Sequence, residues 1–69
     1  MTLNQYVNKT KSILKTFNCI ALHDREIGTK FFHTIEELKA YINETYIDNE
    51  TMAVGQVYKY NDLFIIYVD

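Results

Sequence analysis

Cys19, His23 and His33 are the soft metal ligands of the chain, and with Asp24 beside them they are the residues whose chemistry must be judged first. A zinc-type site gathers such donors within about 2.3 Å of one ion. Along an extended strand Cys19 and His23 stand four residues, and so about 13 Å, apart, too far to share it. With residues 25–28 as a hairpin loop, Asp24 faces Thr29, His23 faces Lys30 and His33 faces Ile20, which sends the two histidines to opposite sides of the ribbon. Nucleophilic catalysis by Cys19 needs a histidine base in reach and a third group to orient it. The same register sets His33 against that geometry, and a lone cysteine at a strand start, between Asn18 and Ile20, reads as a small core hydrophobe. The two glycines, Gly28 and Gly55, fall in no phosphate-cradling pattern. Gly28 suits the positive-φ position of a turn, and Gly55 a bulge or close backbone approach within a strand. No catalytic residue, metal or cofactor is expected, and the chain does not read as an enzyme.

The elements that carry these residues follow from periodicity. Thr2-Leu3-Asn4-Gln5 has the form of a capping box, in which a threonine and a Gln three residues on satisfy each other's free N–H groups. Leu3, Val7, Thr10, Leu14 and Phe17 then recur at helical spacing, predicting one amphipathic helix over 2–17 with Lys11 and Lys15 on its outer side. Residues 19–23 and 29–33 read as two short strands around a charged, glycine-containing turn. Thr34-Ile35-Glu36-Glu37 is a second capping box, with acids where the helix dipole favours them, and Ile35, Leu38, Tyr41, Ile42, Thr45 and Tyr46 continue a helix to about Ile47. Residues 52–60 alternate with period two, Asn61-Asp62 signals a turn, and the β-branched and aromatic run Leu63-Phe64-Ile65-Ile66-Tyr67-Val68 closes the chain as a strand.

The predicted fold is therefore α+β: a single domain over 1–69, small and two-layered, of order αββαββ, with a four-stranded mainly antiparallel sheet and two helices. The repeated order of helix and hairpin points to a duplication in architecture, with too little residue identity between the halves to be a sequence repeat.

At 69 residues there is no room for a second domain, and the 48% hydrophobic content places the chain among those that fold. A domain this short buries only about 60% of the surface its unfolded chain exposes, so a further stabiliser is expected. One cysteine forms no intramolecular disulfide, no export leader is visible, and the longest apolar run has six residues against the roughly 20 that span a bilayer. A cytoplasmic protein, not a membrane one, is expected. The last strand sharpens the point, since Leu63, Ile65 and Tyr67 on one side and Phe64, Ile66 and Val68 on the other are equally apolar. Such a strand belongs inside its sheet. Covering its second side is worth about 1.5–3 kcal/mol per side chain, which predicts a homodimer or a dedicated protein partner using Phe64, Ile66 and Val68.

Charge divides along the chain. Residues 1–33 carry five cations and two acids, net +3, whereas residues 34–69 carry two cations and seven acids, net −5. The acidic second helix and its following loop form an expected protein-binding surface, with Glu37, Tyr41, Glu44, Asp48, Glu50, Tyr58 and Tyr60 as contacts to a basic groove. In general character the chain resembles the small, acidic, tyrosine-rich inhibitors of host enzymes carried by phages and mobile elements. That resemblance implies a protein-interaction module that inhibits or adapts a larger protein. Two alternatives stand beside it: a nucleic-acid-binding accessory protein using Lys9, Lys11 and Lys15, a thin footprint at a pI near 5.6, and a purely structural homo-oligomer.

Overall fold

Both helix starts form where the sequence places them. The computed structural model describes residues 1–46 and 52–68. Thr2 caps α1 (Leu3–Lys9) with both halves of its box made: the Gln5 N–H donates to the Thr2 hydroxyl oxygen (3.2 Å) and the Thr2 N–H to Gln5 Oε1 (3.0 Å). Thr34 caps α3 (Ile35–Thr45) through one half only, because Glu37 Oε1 accepts from the Thr34 hydroxyl (3.2 Å) and not from its backbone N–H.

The predicted single helix over 2–17 is instead two, α1 and the short α2 (Lys11–Leu14). Thr10 stands between them at φ −104° and ψ 16°, and its hydroxyl donates to the Tyr6 carbonyl at 2.7 Å, the same oxygen that its own N–H reaches. A β-branched hydroxyl bonding back along the helix in this way bends it. The periodicity survives the bend, so Leu3, Val7 and Leu14 are all buried and Phe17 packs against the same core.

Four strands, β1 (Cys19–Asp24), β2 (Gly28–Phe32), β3 (Val54–Tyr60) and β4 (Leu63–Val68), make one sheet in the order β2-β1-β4-β3. The sheet is mixed: β1–β2 and β3–β4 are antiparallel hairpins, but the central pair β1–β4 runs parallel, with Ile20 opposite Phe64 and Leu22 opposite Ile66. β4 is interior, as its two-sided apolar pattern predicts. The inner strands are the first of one hairpin and the last of the other, so no twofold within the sheet relates the halves as a duplication would.

Register corrects one expectation. The first loop has three residues, 25–27, and Gly28 belongs to β2, so Asp24 pairs with Gly28, His23 with Thr29 and Ile20 with Phe32, one step from the predicted alignment. Gly28 sits at φ +104°, a conformation that side chains other than glycine's rarely adopt. In the second hairpin Asn61, at φ +53°, makes the turn. Between the pairs Val54–Val68 and Val57–Ile66 two residues of β3, Gly55 and Gln56, oppose Tyr67 alone, the bulge expected at Gly55.

One hydrophobic cluster holds the fold. Leu3, Val7, Leu14, Ile35, Leu38, Ile42 and Tyr46 from the helices pack with Ile20, Leu22, Phe32, Phe64, Ile66 and Val68 from one face of the sheet. Among the described residues, no helix is long and apolar enough to cross a membrane.

Candidate protein-interaction face

The edge strands show which way the sheet is built. A strand washed by solvent on one side alternates apolar residues toward the core with polar residues toward water. β2 and β3 depart from that rule: Phe32, Val54 and Val57 turn to the helix side as it requires, but Lys30 and Lys59 turn there too. Lys30 pairs with Leu22 and Lys59 with Phe64, on the helix side, where the Lys59 ammonium lies 5.8 Å from the centre of the Phe64 ring. Phe31, Tyr58 and Tyr60 alternate to the opposite side, where no residue of the core cluster lies.

Register aligns that opposite side into rows. Phe31, Ala21, Ile65 and Tyr58 face one another across all four strands; Cys19, Leu63 and Tyr60 form the next row, and Thr29, His23 and Tyr67 the one beyond. Ala21 is fully buried although outside the core cluster, its methyl set between the larger Phe31 and Ile65. No Asp, Glu, Lys or Arg occupies any of these positions.

The aromatic rings are held in fixed relation. The Tyr58 and Tyr67 rings meet edge to face, 5.5 Å apart and inclined 83°, and the His23 ring lies 5.0 Å from Tyr67. The Tyr58 hydroxyl donates to Gln56 Oε1 at 2.7 Å across the bulge, and His23 Nδ1 hydrogen-bonds the Thr29 hydroxyl at 2.8 Å. Pairs of this geometry contribute about 0.5–1.5 kcal/mol beyond area burial, so the surface is arranged before anything meets it. Within the row, Phe31 and Tyr58 lie on the outer strands and are 63% and 50% exposed.

The chemically distinctive buried group lies on the helix side. Asp24, at the end of β1, accepts through Oδ1 from the N–H groups of Glu26 (2.8 Å) and Ile27 (3.3 Å), and through Oδ2 from the Tyr46 hydroxyl (2.8 Å). Burial works to raise the Asp24 carboxyl, but the Glu26 N–H, the Tyr46 hydroxyl, the Ile27 N–H and the neighbouring His23 together outweigh it and hold the group below the usual carboxylate range. Burial, then the bond to Asp24, pushes the Tyr46 hydroxyl far above its ordinary value. Every acceptor is occupied and the pair ties the first hairpin to the end of α3, which is a structural task.

The residues singled out from sequence separate. Tyr58 and Tyr60 stand on the outward sheet face, whereas Glu37 and Glu44 are exposed on α3, and Tyr41 is half-buried between Phe32 and Tyr46 with ring centres 5.1 and 6.3 Å away. Asp48 and Glu50 lie outside the described residues. Among the described residues, Glu37, Tyr41 and Glu44 on α3 and Tyr58 and Tyr60 on the outward sheet face do not form one surface. Phe64, Ile66 and Val68, expected as the self-association side of β4, are 1%, 0% and 2% exposed beneath the helices. The flank left uncovered by the helices is therefore Leu63, Ile65 and Tyr67, because strand alternation offers both sides and only helix placement selects one. Sequence reasoning missed Phe31, His23 and Tyr67. The doublet Phe31-Phe32 carried the signal, since adjacent aromatics on a strand must face opposite ways.

His23 is committed to Thr29, and His33 Nδ1 lies 3.3 Å from the Asn18 carbonyl oxygen. Among the described residues no group of three or more His, Cys, Asp or Glu side chains is placed to hold a metal ion. Comparison with known proteins finds no matching family model, no matching curated protein and no matching solved structure.

Proposed function

We propose that the chain is a small protein-interaction module, a two-layer protomer whose contact surface is the sheet face turned away from the helices. The observation that carries this reading is that the edge strands turn Phe31, Tyr58 and Tyr60 toward solvent, while Lys30 and Lys59 stand on the helix side. Contiguous exposed apolar surface of this kind marks interaction sites. Tyr-rich, charge-poor surface is also the composition found at the centre of protein interfaces. Single-stranded nucleic acid stacks on aromatic platforms too, but it binds with cations along the backbone. The rows hold none, and the nearest lysines of the edge strands alternate to the helix side.

Association of this kind also fits the inhibitor-like or adaptor-like character of the sequence, with the work done by occlusion or tethering rather than by chemistry. A photo-crosslinking phenylalanine analogue placed at position 58 or 60, and at position 44 on α3 as a control, tests the reading in cells. Cross-links to a protein chain from positions 58 and 60 but not from 44 are expected. Cross-links only to nucleic acid, or none from the sheet positions, overturn it.

A further inference from the structure

We infer that the occupant of the sheet face is a second copy of this chain, the two sheets stacking face to face about a twofold axis with the helices outside. The inference rests on the interaction reading above and names its partner.

Area is the first argument. Phe31, Tyr58, Tyr60 and Tyr67 are 63%, 50%, 70% and 36% exposed. At about 200 Å² for an aromatic side chain, these fractions present about 440 Å² per protomer. Two copies therefore bury about 900 Å² from the aromatics alone, and the half-buried Cys19, His23, Leu63 and Ile65 on the same rows carry the total past the roughly 1,000 Å² that a specific interface needs.

Charge is the second argument. A twofold contact sets a patch against itself, so any formal charge near the axis meets its own image. A heterologous partner is normally met by complementary charge, which steers encounter and rejects wrong partners. The rows formed by residues 19, 21, 23, 29, 31, 58, 60, 63, 65 and 67 carry no Asp, Glu, Lys or Arg and suit a copy of themselves. Two such sheets pack about 10 Å apart with side chains interdigitating, and the twist of each sheet leaves the Phe31 and Tyr60 corners to grip the edges of the other. The dimer supplies the stabiliser that a 69-residue chain without disulfides needs, and it leaves the acids of α3 on the outside of both protomers.

The test is sedimentation equilibrium from about 1 to about 200 μM, a range that brackets micromolar dissociation constants. The expected mass at the upper end is twice the 8.2 kDa of the chain. The double variant Phe31→Lys with Tyr58→Lys, whose sites are exposed on the outer strands, is expected to weaken dimerisation at least about 100-fold by setting like charges on both stacked sheets. Its far-ultraviolet circular dichroism should remain that of the parent, and Glu37→Lys with Glu44→Lys on α3 should leave the dimer intact.

A parent chain of 8.2 kDa throughout the range overturns the inference, as does a dimer that survives the double lysine variant. A monomer whose positions 58 and 60 still cross-link to another protein refutes self-association alone and leaves the interaction face standing. A monomer without such cross-links refutes both.

Discussion

On its helix side the sheet presents Ile20, Leu22, Phe32, Phe64, Ile66 and Val68; on its other side it presents Ala21, Leu63, Ile65, Phe31, Tyr58, Tyr60 and Tyr67. The two sets differ little in apolar character and greatly in what covers them. On the helix side every one of the six is closed over by α1, α2 and α3, whereas on the other side the central positions are shielded only by their neighbours and the aromatics of the outer strands stand open. The comparison teaches that apolar content in a strand says that both sides need a partner, and that the partner on one side can lie outside the protomer. The covered face carries folding, and the open face is the one proposed for association.

Substitutions on the two faces should accordingly fail in different ways. Phe64→Ala, in the covered face, is expected to cost about 3–5 kcal/mol, comparable to the whole stability of a small domain, so that urea titration finds the chain largely unfolded; near-parental stability would mean that this face is not the core. Tyr46→Phe keeps the ring and removes the hydroxyl that satisfies Asp24 Oδ2, at an expected cost of about 1–3 kcal/mol. Gly28→Ala meets no atom within 4 Å, so its cost, about 1–3 kcal/mol, would come from the backbone at φ +104° alone. Asn at the same position should recover part of the loss. Tyr60→Ala, on the open face, should leave thermal stability extrapolated to high dilution within about 0.5 kcal/mol of the parent, while removing some of the concentration dependence that a dimer confers.

Acid separates the faces as well. The folded chain holds the Asp24 carboxyl low, so its contribution to stability is complete above the unfolded value near 3.9 and disappears as pH falls through the lowered folded value. Urea midpoints measured downward from pH 7 should hold until about pH 4 and then drop. Asp24→Asn should begin less stable at neutral pH and lose less on acidification; a parallel fall in both proteins would show that the carboxyl is not held by these bonds.

Local rules made much of the fold legible. Thr2 and Gln5 announce their cap because the reciprocal bonds lie within four residues, Gly28 announces a turn because few side chains tolerate its φ, and Gly55 announces a bulge for want of a side chain to hold the ladder. The break at Thr10 was not legible, because a threonine at a core-facing helical position reads the same whether its hydroxyl turns to Tyr6 or not. The one-step slip of the first hairpin escaped because loops of three and four residues fit residues 25–28 equally well, and each sends the partner side chains to a different face. The open face escaped for another reason: Tyr58 and Tyr60 were visible as contact aromatics and Tyr67 lies in the same hairpin, but the row that joins them to Phe31 exists only through the pairing of β1 with β4, strands distant in sequence.

The chain by itself determined its four strands, where its helices start, the Thr2 cap, and that β4 has no side made for water, since each of these depends on neighbours within a few positions. Tertiary structure alone decided that β1 and β4 pair in parallel and that Phe64, Ile66 and Val68 lie beneath the helices, which leaves Leu63, Ile65 and Tyr67 to the open side. Strand alternation is symmetric between two faces, and only the path by which α1, α2 and α3 return across the sheet breaks that symmetry.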